Sequence, residues 1–251
     1  METKKNLIYN LIILDESGSM SCVTNQTISG CNETLNTIRS AQKQYADTQE
    51  HFVSIYAFQS GGRPSRYLFK NVPVDEVNNI TDKDYEPWGC TPLNDAVGMT
   101  LADLKATTKS KENAIGSVTI ITDGYENASR EWTGQGVKAL IEECRKLGWM
   151  VSFVGAMEDA KEVATSISIK NVIHWEQTHE GTQAMSRRER DSRHSFFMRL
   201  STLNCMFDEE PDMSVEERRK LRKEISDDYY MDNDNDNVND NENENDNLQS
   251  R

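Results

Sequence analysis

Short apolar runs alternate along the chain with longer stretches in which apolar residues recur every third or fourth position. The runs at 7–14, 51–58, 67–72, 117–122, 150–154 and 172–175 are mostly rich in Val, Ile, Phe and Tyr, and predict strands. Between them, 24–46 (Ile28, Leu35, Ile38, Ala41, Tyr45), 92–108 (Leu93, Val97, Leu101, Leu104) and 134–147 (Val137, Leu140, Ile141, Cys144, Leu147) predict helices with one buried face. Gly148 follows the third where a helix end favours a positive φ. Such alternation is the pattern of β-α units in a mostly parallel sheet. QSGGRPSR, between the second and third strands, is too short for a crossover helix and predicts an antiparallel edge strand. The expected fold is α/β and Rossmann-like: a doubly wound, mostly parallel sheet with one antiparallel edge strand and helices on both faces. Two more helices are expected at 159–168 and 180–203; the charge-dense SRRERDSRH of the latter reads as a solvated face.

A length of 251 residues, 36% hydrophobic, supports one core and an appendage. We expect one domain over 1–206, a charged linker with a short helix at 207–226, and a disordered acidic tail at 227–251. Within the tail, 231–247 holds eight Asn and seven acids, leaving little apolar surface to offset chain entropy. Net charge is -14, with nine acids and one Arg in the last 25 residues. This sign argues against a nucleic-acid partner, whose phosphates require clustered Lys and Arg. No apolar run approaches the ~20 residues that cross a bilayer, so no membrane association is expected. Five Cys, at 22, 31, 90, 144 and 205, form no C-x-x-C pair and suggest reduced thiols. METKKNLIYNLIIL is interrupted by Asn6 and Asn10 and reads as a strand rather than an export signal, so a cytoplasmic location is expected.

The chemistry concentrates where strands end. LIILDESGSM places Asp15, Ser17 and Ser19 at alternate positions directly after the first strand. The fourth strand, in GSVTIITDGYEN, delivers Asp123 the same way, and PWGCTPLNDAV leaves Thr91 before a helix start. In open α/β sheets ligands bind at the carboxyl ends of strands, where strand order reverses. Neighbouring parallel strands would bring the two Asp together, and adjacent like charges call for a cation. A donor set of hard oxygens without Cys or His selects Mg²⁺, or Mn²⁺ or Ca²⁺, over zinc.

At these residues the sequence resembles the von Willebrand factor A family, whose metal-ion-dependent adhesion site combines a D-x-S-x-S loop with a distant Thr and a distant Asp. Asp15, Ser17, Ser19, Thr91 and Asp123 match all five positions, and the order of elements agrees over about 6–203. The resemblance implies that Ser17, Ser19 and Thr91 ligate the metal directly while the two Asp act mostly through water. It also implies a protein partner whose Asp or Glu completes the metal shell. Stand-alone intracellular bacterial members, which serve as adaptors, look nearest in design. Glu16 and Glu126 lie beside the motif and read as exposed rim charges.

Enzyme classes fit less well, and no catalytic residue is assigned. A magnesium-dependent phosphohydrolase of the haloacid dehalogenase type would use Asp15 as nucleophile, yet Ser17 stands where its second Asp belongs. No G-x-S-x-G elbow and no phosphate-cradling Gly loop is present. A third alternative is a metal-independent scaffold whose partners dock on helices or the acidic tail.

Overall fold

A computed structural model describes residues 5–230. Its strands are β1 (Asn6–Asp15), β2 (Gln49–Phe58), β3 (Arg66–Pro73), β4 (Ala114–Thr122), β5 (Met150–Gly155) and β6 (Asn171–His174). Its helices are α1 (Thr24–Gln44), α2 (Leu93–Thr108), α3 (Gly134–Lys146), α4 (Ala160–Ser166), α5 (His179–Glu209) and α6 (Val215–Asp227). They form one six-stranded sheet in the order β3-β2-β1-β4-β5-β6, parallel except for β2–β3. This is the α/β, Rossmann-like arrangement expected from the pattern. Chain order reverses at β1, so the switch point lies between β1 and β4.

The two-residue period of β1 explains why both faces are covered. Ile8, Ile12 and Leu14 pack against Cys31, Leu35 and Ile38 of α1 and Phe196, Phe197 and Leu200 of α5. Tyr9, Leu11 and Ile13 face the opposite layer, with Val97 and Leu101 of α2 and Val137 and Ile141 of α3. Gly148 has φ +82°, as its place after α3 requires.

Two expectations change. The run SRRERDSRH is not a solvated face throughout: Glu189 is buried and Arg193 is 1% exposed. The two form an ion pair under the sheet, where the Thr119 and Ser117 hydroxyls supply further partners for Arg193. Polar side chains on the inner face of β4 make this burial possible. The second change lies at the start of the expected tail: α6, whose beginning is set by a capping box of Ser214 and Glu217, runs one residue past the expected linker, to Asp227. Beyond it, Tyr229 and Tyr230 are buried, and their hydroxyls donate to Glu189 at 3.1 and 2.6 Å. The remainder of the expected acidic tail, 231–251, lies outside the described residues. Among the described residues no helix is long and apolar enough to cross a membrane.

Candidate metal centre

Leu14 pairs with Ile121 across the parallel β1–β4 ladder, so Asp15 and Asp123 emerge side by side at the crest. Asp15 is fully buried. Its Oδ1 accepts the Ser17 backbone N–H at 2.7 Å and its Oδ2 accepts the Thr122 hydroxyl at 2.5 Å. The Ser17 and Ser19 hydroxyl oxygens lie 3.2 Å apart, and Ser19 donates to Asp123 Oδ1 at 2.6 Å. Thr91 arrives from the β3–α2 loop, its backbone N–H donating to Asn127 Oδ1 at 2.8 Å. A Cβ built on Gly124 would lie 3.2 Å from Thr91 Oγ1 and 3.8 Å from Ser19 Oγ, which places both hydroxyls around one small residue. The five side chains therefore gather in one cluster.

Local backbone features hold the Thr91 loop in place. Gly18 N–H donates to the Gly89 carbonyl at 3.0 Å, and Ser60 and Cys90 exchange hydrogen bonds of 3.1 and 2.9 Å. Gly89 has φ +71°, and a Cβ there would fall 1.7 Å from the Ser60 carbonyl oxygen, so only glycine fits.

Electrostatics favour a cation here. Burial pushes the Asp15 carboxyl up to about 6; the hydrogen bonds of Thr122 and Ser17 oppose this, and the Asp123 charge adds to it. Neither Asp bonds to Lys or Arg among the described residues. No group of three or more His, Cys, Asp and Glu side chains is placed to hold a metal among the described residues. The candidate set instead offers two carboxylates and three hydroxyls, a chemistry that fits a hard dication. Ser17, Ser19 and Thr91 would supply neutral donors, and Asp15 and Asp123 the charge.

The surrounding shell departs from the sequence reading. Glu16 is not a rim charge: it is 0% exposed and accepts Arg66 Nη1 and Nη2 at 2.7 and 3.1 Å, Gln59 Nε2 at 3.0 Å and Glu86 N–H at 2.7 Å. Burial alone would push its carboxyl up, but these bonds and the Arg66 charge hold it below the usual range. Glu126 is half-buried and accepts the Asn94, Ala128 and Ser129 backbone N–H groups at 2.7 to 2.9 Å, bracing the α2 start against its own loop. Backbone donors surround both acids, and Glu16 has in addition a distant Arg, which no local pattern announces. Sequence reasoning also missed Thr122, Gln177, which donates to Asp123 Oδ2 at 3.1 Å, and Tyr85, whose hydroxyl donates to the Asp15 carbonyl at 2.6 Å.

No protein-family model matches the chain, and no curated protein matches it in sequence. Among solved structures, the pilus adhesin SpaC of Lactobacillus rhamnosus GG in its open conformation aligns at 12% identity with a TM-score of 0.54. That alignment covers 77% of this chain and 30% of SpaC. The PilB minor pilin of Streptococcus sanguinis aligns at 12% identity with a TM-score of 0.52, covering 76% of this chain and 62% of PilB. The manganese-loaded TRAP protein of Plasmodium vivax aligns at 14% identity over 74% of this chain and 73% of that one, with a TM-score of 0.46. SpaC and PilB share the doubly wound fold with this chain, which spans less than two thirds of either.

Proposed function

We propose that the crest is a divalent-metal-dependent protein-binding site of the metal-ion-dependent adhesion type, and that the protein is an adaptor. Asp15, Ser17, Ser19, Thr91 and Asp123 hold Mg²⁺, or Mn²⁺ or Ca²⁺ in its place. An Asp or Glu of a partner protein takes the open coordination position. The observation that carries this reading is the convergence of two Asp and three hydroxyls from three separate segments with no basic side chain among them. Two acids without a counter-charge need a cation, and neutral hydroxyl donors leave that cation electrophilic enough to attract an external carboxylate. Five free cysteines fit an adaptor working in the reducing cytoplasm.

A hydrolase reading is less well supported, because Ser17 stands where a second Asp would serve as general acid, and its hydroxyl lies beside that of Ser19. The test is capture of protein partners in Mg²⁺ and in EDTA by wild type, Asp15→Ala and Thr91→Ala. Partners should be retained by wild type in Mg²⁺ and lost in EDTA and from both variants. Capture indifferent to EDTA and to Thr91→Ala would instead favour a metal-independent scaffold.

A further inference from the structure

At the end of the sheet opposite Asp15 lies a buried cation without a counter-charge. Arg222 of α6 is 6% exposed and sits where β1 and β4 begin. Its Nη2 donates to Asn6 Oδ1 at 2.9 Å and its Nη1 to the Glu112 carbonyl at 3.3 Å. Both acceptors are neutral, and no acid forms an ion pair with Arg222 among the described residues. Its Nε–H finds no acceptor, and neither does Nδ2 of Asn6, which is 1% exposed. Burial, then the repulsion of Arg218 and Arg219, pulls the Arg222 guanidinium down to about 10. A guanidinium removed from water with no anion and an unmade donor is costly, as is the orphaned amide beside it.

A cavity of about 80 Å³ adjoins both residues, bordered also by Phe207 and Arg218. Arg218 lies 5.2 Å and Arg222 5.5 Å from the centre of the Phe207 ring, so the two cations share one aromatic wall. Glu112 and Asp208 border the cavity too, but among the described residues neither forms an ion pair with an Arg. Beside it, a cleft of about 510 Å³ brings Lys109, Lys111 and Arg219 to the same end. In a chain of net charge -14 this concentration of cations stands apart.

We propose that this cavity binds a small oxyanion of phosphate size through Arg218, Arg222 and the side-chain amide of Asn6. An oxyanion supplies the several acceptor lone pairs that a guanidinium edge and an amide N–H₂ lack here, and it neutralises the buried charge. The site lies at the amino ends of the strands and is independent of the metal centre.

The test titrates full-length protein with inorganic phosphate against sodium chloride of equal ionic strength, in EDTA at fixed pH, following melting temperature and the NMR signals of the Arg222 Nε–H and the Asn6 amide. Phosphate should raise the melting temperature saturably and shift both signals. Arg218→Gln, at a half-buried position, should weaken the effect at least about tenfold, the scale of one charge-assisted hydrogen bond. Arg222→Leu should abolish it; if that variant does not fold, Arg218→Gln still decides. Glycerol phosphate binding as tightly as the free ion would mark an ester-bound phosphate as the ligand, and weaker binding the free ion. Equal effects of phosphate and chloride with both signals unmoved, or an undiminished response in Arg218→Gln, would overturn the proposal.

Discussion

Arg66, the first residue of the antiparallel edge strand, grips Glu16 through both ends of its guanidinium, at 2.7 and 3.1 Å, and also donates to the Asp84 carbonyl at 2.7 Å. One side chain thus ties β3 and the loop leading to Thr91 to the segment that carries Asp15, Ser17 and Ser19. Glu16 is fully buried, so deleting Arg66 strands a charge. We predict that Arg66→Ala costs about 3 kcal/mol in urea denaturation and weakens Mg²⁺ binding. Adding Glu16→Gln to Arg66→Ala should recover much of the stability. Equal stability of Arg66→Ala and wild type would show that the pair holds nothing together.

The second prediction concerns pH. Asp15 has a folded pKa of about 6 against an ordinary value of 3.8, so without metal its protonated form favours the fold. That stabilisation is complete below the ordinary value and is lost as pH rises through about 6. At about 1.4 kcal/mol per tenfold change in proton affinity, the contribution is on the order of 3 kcal/mol. In EDTA, the stability of wild type relative to Asp15→Asn should therefore fall between about pH 4 and pH 7. In Mg²⁺ the trend should reverse, because the metal requires the ionised carboxylate and its affinity drops on acidification. A difference between the two proteins that stays flat with pH in EDTA would contradict the burial argument.

Gly89 offers a backbone test of the same site. With φ +71° and the Ser60 carbonyl in the space of a Cβ, Gly89→Ala must move the loop that presents Thr91. The distortion is local, since the sheet and both core layers lie elsewhere. We expect far-ultraviolet circular dichroism close to wild type together with at least a tenfold weaker Mg²⁺ response, corresponding to about 1.4 kcal/mol or more. Wild-type Mg²⁺ affinity in this variant would mean that the Thr91 loop does not contribute a ligand.

Under the sheet, Tyr230 donates to the buried Glu189 carboxylate at 2.6 Å. Tyr230→Phe keeps the ring and removes this charge-assisted bond, with an expected cost of about 2 kcal/mol in chemical denaturation. A change below about 0.5 kcal/mol would place the hydroxyl outside the stabilising network.

The fold was legible because its signals are local and repeated. The apolar run of β1, the helical spacing at Leu35 and Ile38, and the short link before Arg66 each specify one element or connection. The candidate site was legible for a related reason: Asp15 and Asp123 end hydrophobic runs, and parallel strands carry their ends to one crest. What escaped depends on pairing over long sequence distances. Glu16 is buried only because Arg66, fifty residues on, folds over it. Glu189 and Arg193 read as solvated because nothing near them in sequence shows that Thr119, Tyr229 and Tyr230 will surround them. The uncompensated charge of Arg222 became visible only once α6 was seen to lie against Asn6.

The most direct test of the central claim is a calorimetric titration of Mg²⁺ into metal-stripped full-length protein at neutral pH, with wild type, Asp15→Asn and Thr91→Ala in parallel. One saturable site in wild type, lost in Asp15→Asn and strongly weakened in Thr91→Ala while both variants keep their secondary structure, is the predicted result. Absence of saturable binding in wild type, or binding unchanged by both substitutions, would contradict it.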